Sequence, residues 1–313
     1  MNARSRYRVA CLGVASWDRL LTVDRYPPLG RQAVVSGEVS APGGTTTNTA
    51  VALARLGLEV RLAAAVGDDE RGRSIRERLA AEGVDTSWLL TRPSQATNSA
   101  TVVVSAEPLD RTMFWQAGAG LTRGDRLPIA ELFGHDLVVL DPSDLELRRF
   151  LLDLPAHTLP RTRLLGPLTY LADPALHDAL DLALRHDVVV GDEGDALTVT
   201  GTWTLADATA ALQSRMRGQN LRAAAITRGT AGCRIVTPDE SFQVPAFEVT
   251  AVDPTGAGDA FVAAVAFGLV QRWDWPRIGR FANAAGALAT LGVGAQSSLP
   301  DRGAIDDLLN RNQ

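Results

Sequence analysis

Asp253-Pro254-Thr255-Gly256-Ala257-Gly258-Asp259-Ala260-Phe261 joins a β-like run, Phe242 to Thr250, to an apolar helical run, Phe261 to Val270. Pro254 presets a turn, and two glycines let the backbone come close to a ligand. The turn delivers the N–H groups of Gly256, Ala257 and Gly258 to a helix start. Such a terminus carries about half a positive charge and suits a phosphate or a developing oxyanion. Asp259 follows on the first turn as a carboxylate able to take a proton. An anion cradle beside a base is the equipment for activating a hydroxyl against a phosphoryl group. Glycine and aspartate are also what ordinary capped turns prefer, so this stretch alone leaves a purely structural turn open.

Composition narrows the classes. The chain has 313 residues, 46% hydrophobic and 21% charged, which fits a soluble globular protein with a sizeable core. A net charge of -5 and a pI near 5.5 supply no basic field for nucleic acid. Every basic side chain other than histidine is arginine. Without lysine there is no Walker-type P-loop and no protein-kinase ATP lysine, so phosphate chemistry rests on backbone N–H groups, arginine and a metal. The two cysteines, Cys11 and Cys233, sit in separate apolar strand-like runs and read as buried hydrophobes of a reducing cytoplasm. The apolar run Val9 to Ala15 behind N-terminal arginines has the look of a signal peptide. Trp17-Asp18-Arg19 interrupts it with no cleavage site, so it reads as a first strand. No apolar stretch reaches membrane-spanning length, because Gly268 and Arg272 close the longest candidate.

Along the chain, Arg8 to Ala15 reads as a buried strand with Asp18 just beyond its end, where open α/β sheets place ligand groups and where turn aspartates are also common. Alternation around Pro27-Pro28-Leu29-Gly30 predicts two short strands between Leu20 and Val39. Gly43-Gly44-Thr45-Thr46-Thr47-Asn48-Thr49-Ala50 is a second glycine turn feeding a helix, which Val51, Leu53, Ala54 and Leu56 continue to Gly57. Uncharged and rich in hydroxyls, it suits a polyol, although threonine-capped helices look the same. Val60 to Val66 predicts a strand and Glu70 to Glu82 a helix; Ala100 to Ser105 and Thr112 to Ala117 alternate as strands. Then come a strand Leu137 to Leu140 ending in Asp141, helices over Asp144–Leu152 and Pro174–Arg185, and strands Val188–Val190 and Leu221–Thr227. The proline-rich stretch from Leu154 to Pro174 takes no assignment. Asp274-Trp275-Pro276 caps a helix running to about Leu291. Strand and helix alternate as in a parallel sheet covered on both faces.

The nonapeptide at 253–261 closely resembles the D-x-T-G-A-G-D-x-F signature of the ribokinase family of sugar kinases, the PfkB carbohydrate kinases. Gly43 to Gly57 resembles the first signature of the same family, G-G-x-x-x-N-x-A with an A-x-L-G helix end. The resemblance implies an α/β/α three-layer sandwich with a mostly parallel central sheet. Residues 1–18, 40–96 and 119–313 would form the kinase core, and 19–39 with 97–118 a discontinuous β lid over the sugar. It implies transfer of phosphate from ATP to a hydroxymethyl group of a small sugar or polyol, with a nucleoside as the alternative acceptor. Asp259 would be the base, and Gly256, Ala257 and Gly258 the anion hole. Asp18, Gly43, Gly44, Asn48 and Asp141 would hold the acceptor. Thr227, Gly229, Gly232, Asn283 and Gly286 would line the ATP edge. Asp192 and Asp195 stand where the family shows N-x-x-E near magnesium. Asp253, Gly294 and Ser298 would surround a monovalent cation, K+. Thr45 replaces the lysine or small residue of many members, which leaves the substrate open. The resemblance further implies a cytoplasmic homodimer paired through the lid, where Val102, Val104, Met113 and Trp115 call for a partner surface.

Two rival classes remain. A nicotinamide dehydrogenase needs G-x-G-x-x-G after an early strand, and Phe261 is bulky where the third glycine belongs. A non-catalytic, ligand-sensing relative draws support from the Asp192-x-x-Asp195 departure, against the intact Asp259 turn.

Overall fold

A computed structural model describes residues 7–154 and 162–312; residues 155–161 of the proline-rich stretch lie outside them. Strands of near-continuous apolar residues need cover on both faces. In β8 (Leu137–Asp141), Leu137 and Val139 pack into one layer while Val138 and Leu140 pack into the other, all fully buried. β1 (Arg8–Gly13), β4 (Glu59–Gly67) and β10 (Val188–Asp192) divide in the same way.

The remaining strands of this sheet are β5 (Asp85–Arg92), β9 (Arg163–Pro167), β11 (Ala223–Thr227), β12 (Cys233–Val236) and β13 (Ser241–Val244). The order across the sheet is β13-β12-β11-β10-β9-β8-β1-β4-β5. Seven neighbours from β5 to β11 run parallel, and β12 pairs antiparallel on both sides. One face is covered by α1 (Thr45–Arg55), α2 (Glu70–Ala81), α8 (Ala257–Val270), α9 (Trp275–Ala289) and α10 (Arg302–Arg311). The other carries α3 (Ile129–Leu132), α4 (Leu145–Leu152), α5 (Ala179–Ala183), α6 (Glu193–Thr200) and α7 (Leu205–Met216). Both cysteines are free and buried.

A second, four-stranded sheet has the order β3-β2-β6-β7, from β2 (Ser16–Val23), β3 (Val35–Gly43), β6 (Ser99–Ser105) and β7 (Asp110–Gln116). This is the ribokinase-like arrangement: a large, mostly parallel sandwich with a small separate sheet as lid. β2 begins at Ser16, so Asp18 lies within a lid strand and not in a loop behind β1. The register sets Asp18, Ala100 and Trp115 side by side on one face.

Two elements are shorter than their sequence patterns. The strand expected over Phe242–Thr250 stops at Val244, because the Asn283 amide takes the carbonyls of Val244 and Pro245 at 2.9 Å each. The helix expected over Pro174–Arg185 is confined to α5; before it, Asp173 accepts from the Ala175 amide and its carbonyl from Leu176, which makes turns.

α8 is the element that positions the site. Its side chains from Ala260 to Val270 are all buried, between the sheet, α1 and α9. A helix apolar all round belongs in a core. Phe267 stacks on Phe281 of α9 with ring centroids 5.5 Å apart. Truncating such a ring costs about 3–5 kcal/mol, so α8 cannot shift easily and its N-terminus is a fixed platform.

Candidate active site

The C-terminal ends of β1, β8, β10 and β11 and the N-termini of α1 and α8 meet under the lid, as ligand sites do in open α/β sheets. Between them lies a cavity of about 600 Å³. A wider groove of about 1090 Å³ opens beside Tyr7, Arg55 and Asp301, at the far end of α1, and is lined by none of the candidate site residues.

Gly256 caps α8 at φ 86°, and a Cβ there would overlap the Ala295 carbonyl. Left-handed backbone pressed onto a neighbouring loop is what requires glycine. Gly258 has open space where its Cβ would be. The Ala257 amide bonds the Pro254 carbonyl at 3.3 Å, so of the three amides in the cradle this one has a partner inside the turn. Asp253 is fully buried and ties the turn down: it accepts from the amide and hydroxyl of Thr255 and, at 2.8 Å, from the Gly294 amide. Ser298 donates to the Ala289 carbonyl at 2.8 Å in the loop that follows α9.

Asp259 projects into the cavity, and Asn48 of α1 donates to its Oδ2 at 2.7 Å. Asn48 is itself held by Gln296, which donates to its Oδ1 at 2.9 Å. Burial pushes the Asp259 carboxyl up to about 7; the Asn48 bond and Arg111 pull it down, and Asp141 and Asp18 push it further up. A carboxylate poised near neutrality, with one oxygen oriented by an amide, is suited to take a proton.

The acceptor side is built around the second glycine turn. Gly44 caps α1 at φ 94°, with a Cβ placed 2.6 Å from the Val14 carbonyl. A Cβ on Gly43 would overlap the Asp18 carboxylate, so this glycine makes room for that side chain. Asp18 accepts from Ser16 at 2.6 Å and is pushed up to about 6 by burial. The threonine run divides its labour. Thr46 and Thr47 bond the amide and carbonyl of Val14, fastening α1 to the end of β1, while Thr45 and Thr49 face the cavity with Asn48. Thr45 donates to Asp141 at 2.8 Å; Asp141 is fully buried against Arg148, itself fully buried, at 3.0 Å. Asp141 therefore reaches the cavity through Thr45.

Asp192 and Asp195 cap α6 reciprocally: Asp192 accepts from the Asp195 amide at 2.8 Å and Asp195 from the Asp192 amide at 3.1 Å. Both also line the cavity. Burial, and then the Asp192 charge, push Asp195 up to about 6. Of the nucleotide-edge candidates, Thr227 lines the cavity. Gly229 borders open space at φ 53°. Gly232 is pressed against Val244–Ala246, Gly286 lets α9 approach the Ala257 carbonyl, and Asn283 holds the 244–245 backbone.

Arg111, Met113 and Trp115, on the same side of β7, line the cavity from the lid, and Arg111 donates to the Pro254 carbonyl at 3.1 Å. Val102 and Val104 are buried in a cluster with Leu20 and Ala100. Of the four residues expected at a partner surface, Val102 and Val104 are thus buried, while Met113 and Trp115 border the cavity and stay about half exposed. Arg111, Gln296, Arg148 and Tyr170, which also lines the cavity, were not singled out from the sequence; for Arg111 the shared parity with Met113 and Trp115 was the available signal.

Comparison with known proteins gives the family. Residues 7–302 match the pfkB family carbohydrate kinase pattern. A ribokinase of Bacillus subtilis is 29% identical over 310 residues, covering 96% of this chain and 99% of that one. A fructokinase-4 of Arabidopsis thaliana, described as probable, is 29% identical over 88% of this chain and 90% of its own. The structure of an Arabidopsis thaliana ribokinase complexed with ribose and ATP superimposes with a TM-score of 0.79 at 21% identity, over 97% of this chain and 98% of that one. The chain belongs to the pfkB family of carbohydrate kinases and is a phosphotransferase with an alcohol group as acceptor.

Proposed function

We propose that the protein transfers phosphate from ATP to a hydroxymethyl group of a small sugar or related polyol. The observation that carries this reading is the Asn48–Asp259 hydrogen bond, which joins the two glycine turns across the cavity. In it, Asp259 takes the hydroxyl proton while the Gly256 and Gly258 amides and the α8 terminus face the oxyanion of the transferring group. Asp18, Asn48 and the Gly43–Gly44 turn receive the acceptor hydroxyls, with Thr45 bringing in Asp141. ATP lies toward Thr227 and Gly229, with Gly232, Asn283 and Gly286 shaping the backbone behind it.

Magnesium fits Asp192 and Asp195. Each commits one oxygen to the capping box and keeps the other, and the raised Asp195 carboxyl is relieved by a cation. Two carboxylates suffice for an ion that keeps several waters. When bound, it neutralises phosphate charge. For K+, the buried Asp253 with Gly294 and Ser298 remains the proposed neighbourhood, supported by the convergence of Asp253 and Gly294 behind the anion cradle.

A second reading, a nucleoside as acceptor, is favoured by Met113 and Trp115, whose apolar faces border the cavity. A base can stack on such a ring. The test is ATP consumption and product formation with a panel of aldoses, ketoses, polyols and nucleosides. Turnover confined to one sugar or polyol establishes the first reading, turnover confined to nucleosides the second, and none with any acceptor removes both.

A further inference from the structure

Behind the acceptor wall of the cavity lies a charge with no part in phosphate transfer. Arg148 of α4 is fully buried. Side chains on a helix lean toward its N-terminus, and this one reaches back to the end of β8. Its Nη2 donates to Asp141 Oδ1 at 3.0 Å and to the Pro142 carbonyl at 3.1 Å. Asp141, also fully buried, accepts on its other oxygen from the Thr45 hydroxyl at 2.8 Å, and Thr45 lines the cavity. Nη1 of Arg148 has no hydrogen-bond partner among the described residues, and neither has Nε2 of the buried His186. Burial and then the Arg148 charge push His186 down to about 3, so it stays neutral, and Arg148 supplies the positive charge that faces Asp141. On the cavity side, the Asp195 charge pushes Asp141 up; burial and Asp141 push the Tyr170 phenol up, so it stays protonated. A buried ion pair with a donor left over is no better a brace than apolar side chains of the same volume, so packing does not account for it.

The pair fixes a direction instead. A threonine hydroxyl has one proton and two lone pairs. With Asp141 held as an anion, the Thr45 proton is committed inward and the oxygen shows lone pairs to the cavity. We propose that Arg148 is a positioning residue that sets which acceptors the site takes: through Asp141 it orients Thr45 to receive a hydroxyl of a neutral acceptor and to turn away a carboxylate or phosphate. This rests on the kinase reading above. Arg148 touches no substrate and exchanges no proton. With its charge removed, the buried Asp141 protonates. The new O–H donates to Thr45, whose own proton turns to the cavity, and the preference for a neutral acceptor falls.

The test uses the whole chain as wild type, Arg148→Lys and Arg148→Gln; lysine keeps the charge, and glutamine keeps a donor without it. The acceptors are the best neutral compound of the panel, together with sugar acids and sugar monophosphates. Wild type should prefer the neutral acceptor by about 100-fold or more in kcat/KM. Arg148→Gln should raise KM for that acceptor by about 10–100-fold, the worth of one charge-assisted hydrogen bond, and lower the preference about tenfold. Its kcat and its KM for ATP should stay within about threefold, as for lost acceptor binding. Arg148→Lys should stay within about fivefold of wild type on every count, because the contact with Asp141 is a single bond and not a fork. Unfolding midpoints, and calorimetric titration with the acceptor alone, keep lost folding apart from lost affinity. Should glutamine fail to fold, Arg148→Met combined with Asp141→Asn removes both charges, and the preference should be lost there too. Retained preference in that double variant overturns the proposal. So does equal behaviour of the lysine and glutamine variants, since a purely structural role reads packing and not charge. A wild type that phosphorylates sugar acids or sugar monophosphates as readily as neutral acceptors overturns it as well. If wild type phosphorylates nothing in the panel, the proposed function fails separately, and the calorimetric affinities for neutral and anionic compounds still decide Arg148.

Discussion

At the residue scale, Asp259 is placed by burial and by one amide. Its carboxyl, raised to about 7, is protonated below that pH and ionised above it. A general base works ionised, so the rate should climb with pH through about 7 and level off above. Asp259→Asn should lower kcat by about 10²–10⁴-fold and abolish that rise. The same shift has a thermodynamic consequence. A carboxyl whose folded pKa exceeds its unfolded value of about 3.9 adds stability at low pH and loses it as pH rises toward 7. Asparagine escapes this loss. Calorimetric unfolding should therefore show the variant gaining on wild type between about pH 4 and 7, with a melting advantage of about 2–4 °C at pH 8. Equal midpoints at all pH values would mean that the carboxyl is not raised. This base was legible in the sequence because cradle and carboxylate are contiguous, and a contiguous turn carries its geometry with it. Gln296, which orients Asn48 from 248 residues away, left no local trace.

At the scale of elements, the two glycines of the cradle make opposite demands. Gly256 has a positive φ and a neighbour in the way, whereas Gly258 is helical with open space. Gly256→Ala should cost about 1–3 kcal/mol and disrupt the cradle. Gly258→Ala should be neutral or slightly stabilising to urea, since alanine is the better helix former. It should nevertheless lower kcat, because the space that it fills is wanted only by a ligand. Retained activity in Gly258→Ala would show that no phosphate oxygen approaches there. A similar separation applies at the start of α6. Loss of the cap in Asp195→Ala should cost about 1 kcal/mol, which urea unfolding measures. A role toward magnesium is read independently, from the concentration giving half-maximal rate at fixed ATP. That concentration should rise several-fold in Asp195→Ala and less in Asp192→Asn. Superimposable curves would leave the pair as a cap alone. The cap was visible in the sequence as a possibility because its residues are three apart. Its orientation toward the cavity depends on β10 and β11 lying side by side, which no local spacing encodes.

At the scale of the whole molecule, apolar strands alternating with helices made the parallel sandwich legible, since the central strands feed both layers and α8 is apolar all round. The lid was harder. Its four strands come from two separated stretches, and its inward face mixes Asp18 and Arg111 with apolar residues, so alternation alone gave no direction. Val102 and Val104 are buried within the lid, so a lid-paired dimer has to rest on its exposed residues. β3 and β7 are the unpaired edges of the lid sheet, and every residue of β7 is exposed. Phe114, 54% exposed, stands on the face of β7 opposite Met113 and Trp115, in register with Thr101. Exposed edge strands carrying an aromatic side chain are covered in stable proteins or become sites of association. We therefore expect a dimer by light scattering at micromolar concentration, and Phe114→Arg to shift it to monomer by setting like charges against each other across a symmetric contact. Because Arg111 lies three residues away on the same strand, loosening the lid should lower kcat of Phe114→Arg several-fold while the core keeps its melting temperature. A wild type that stays monomeric at these concentrations would assign β7 to the cavity alone.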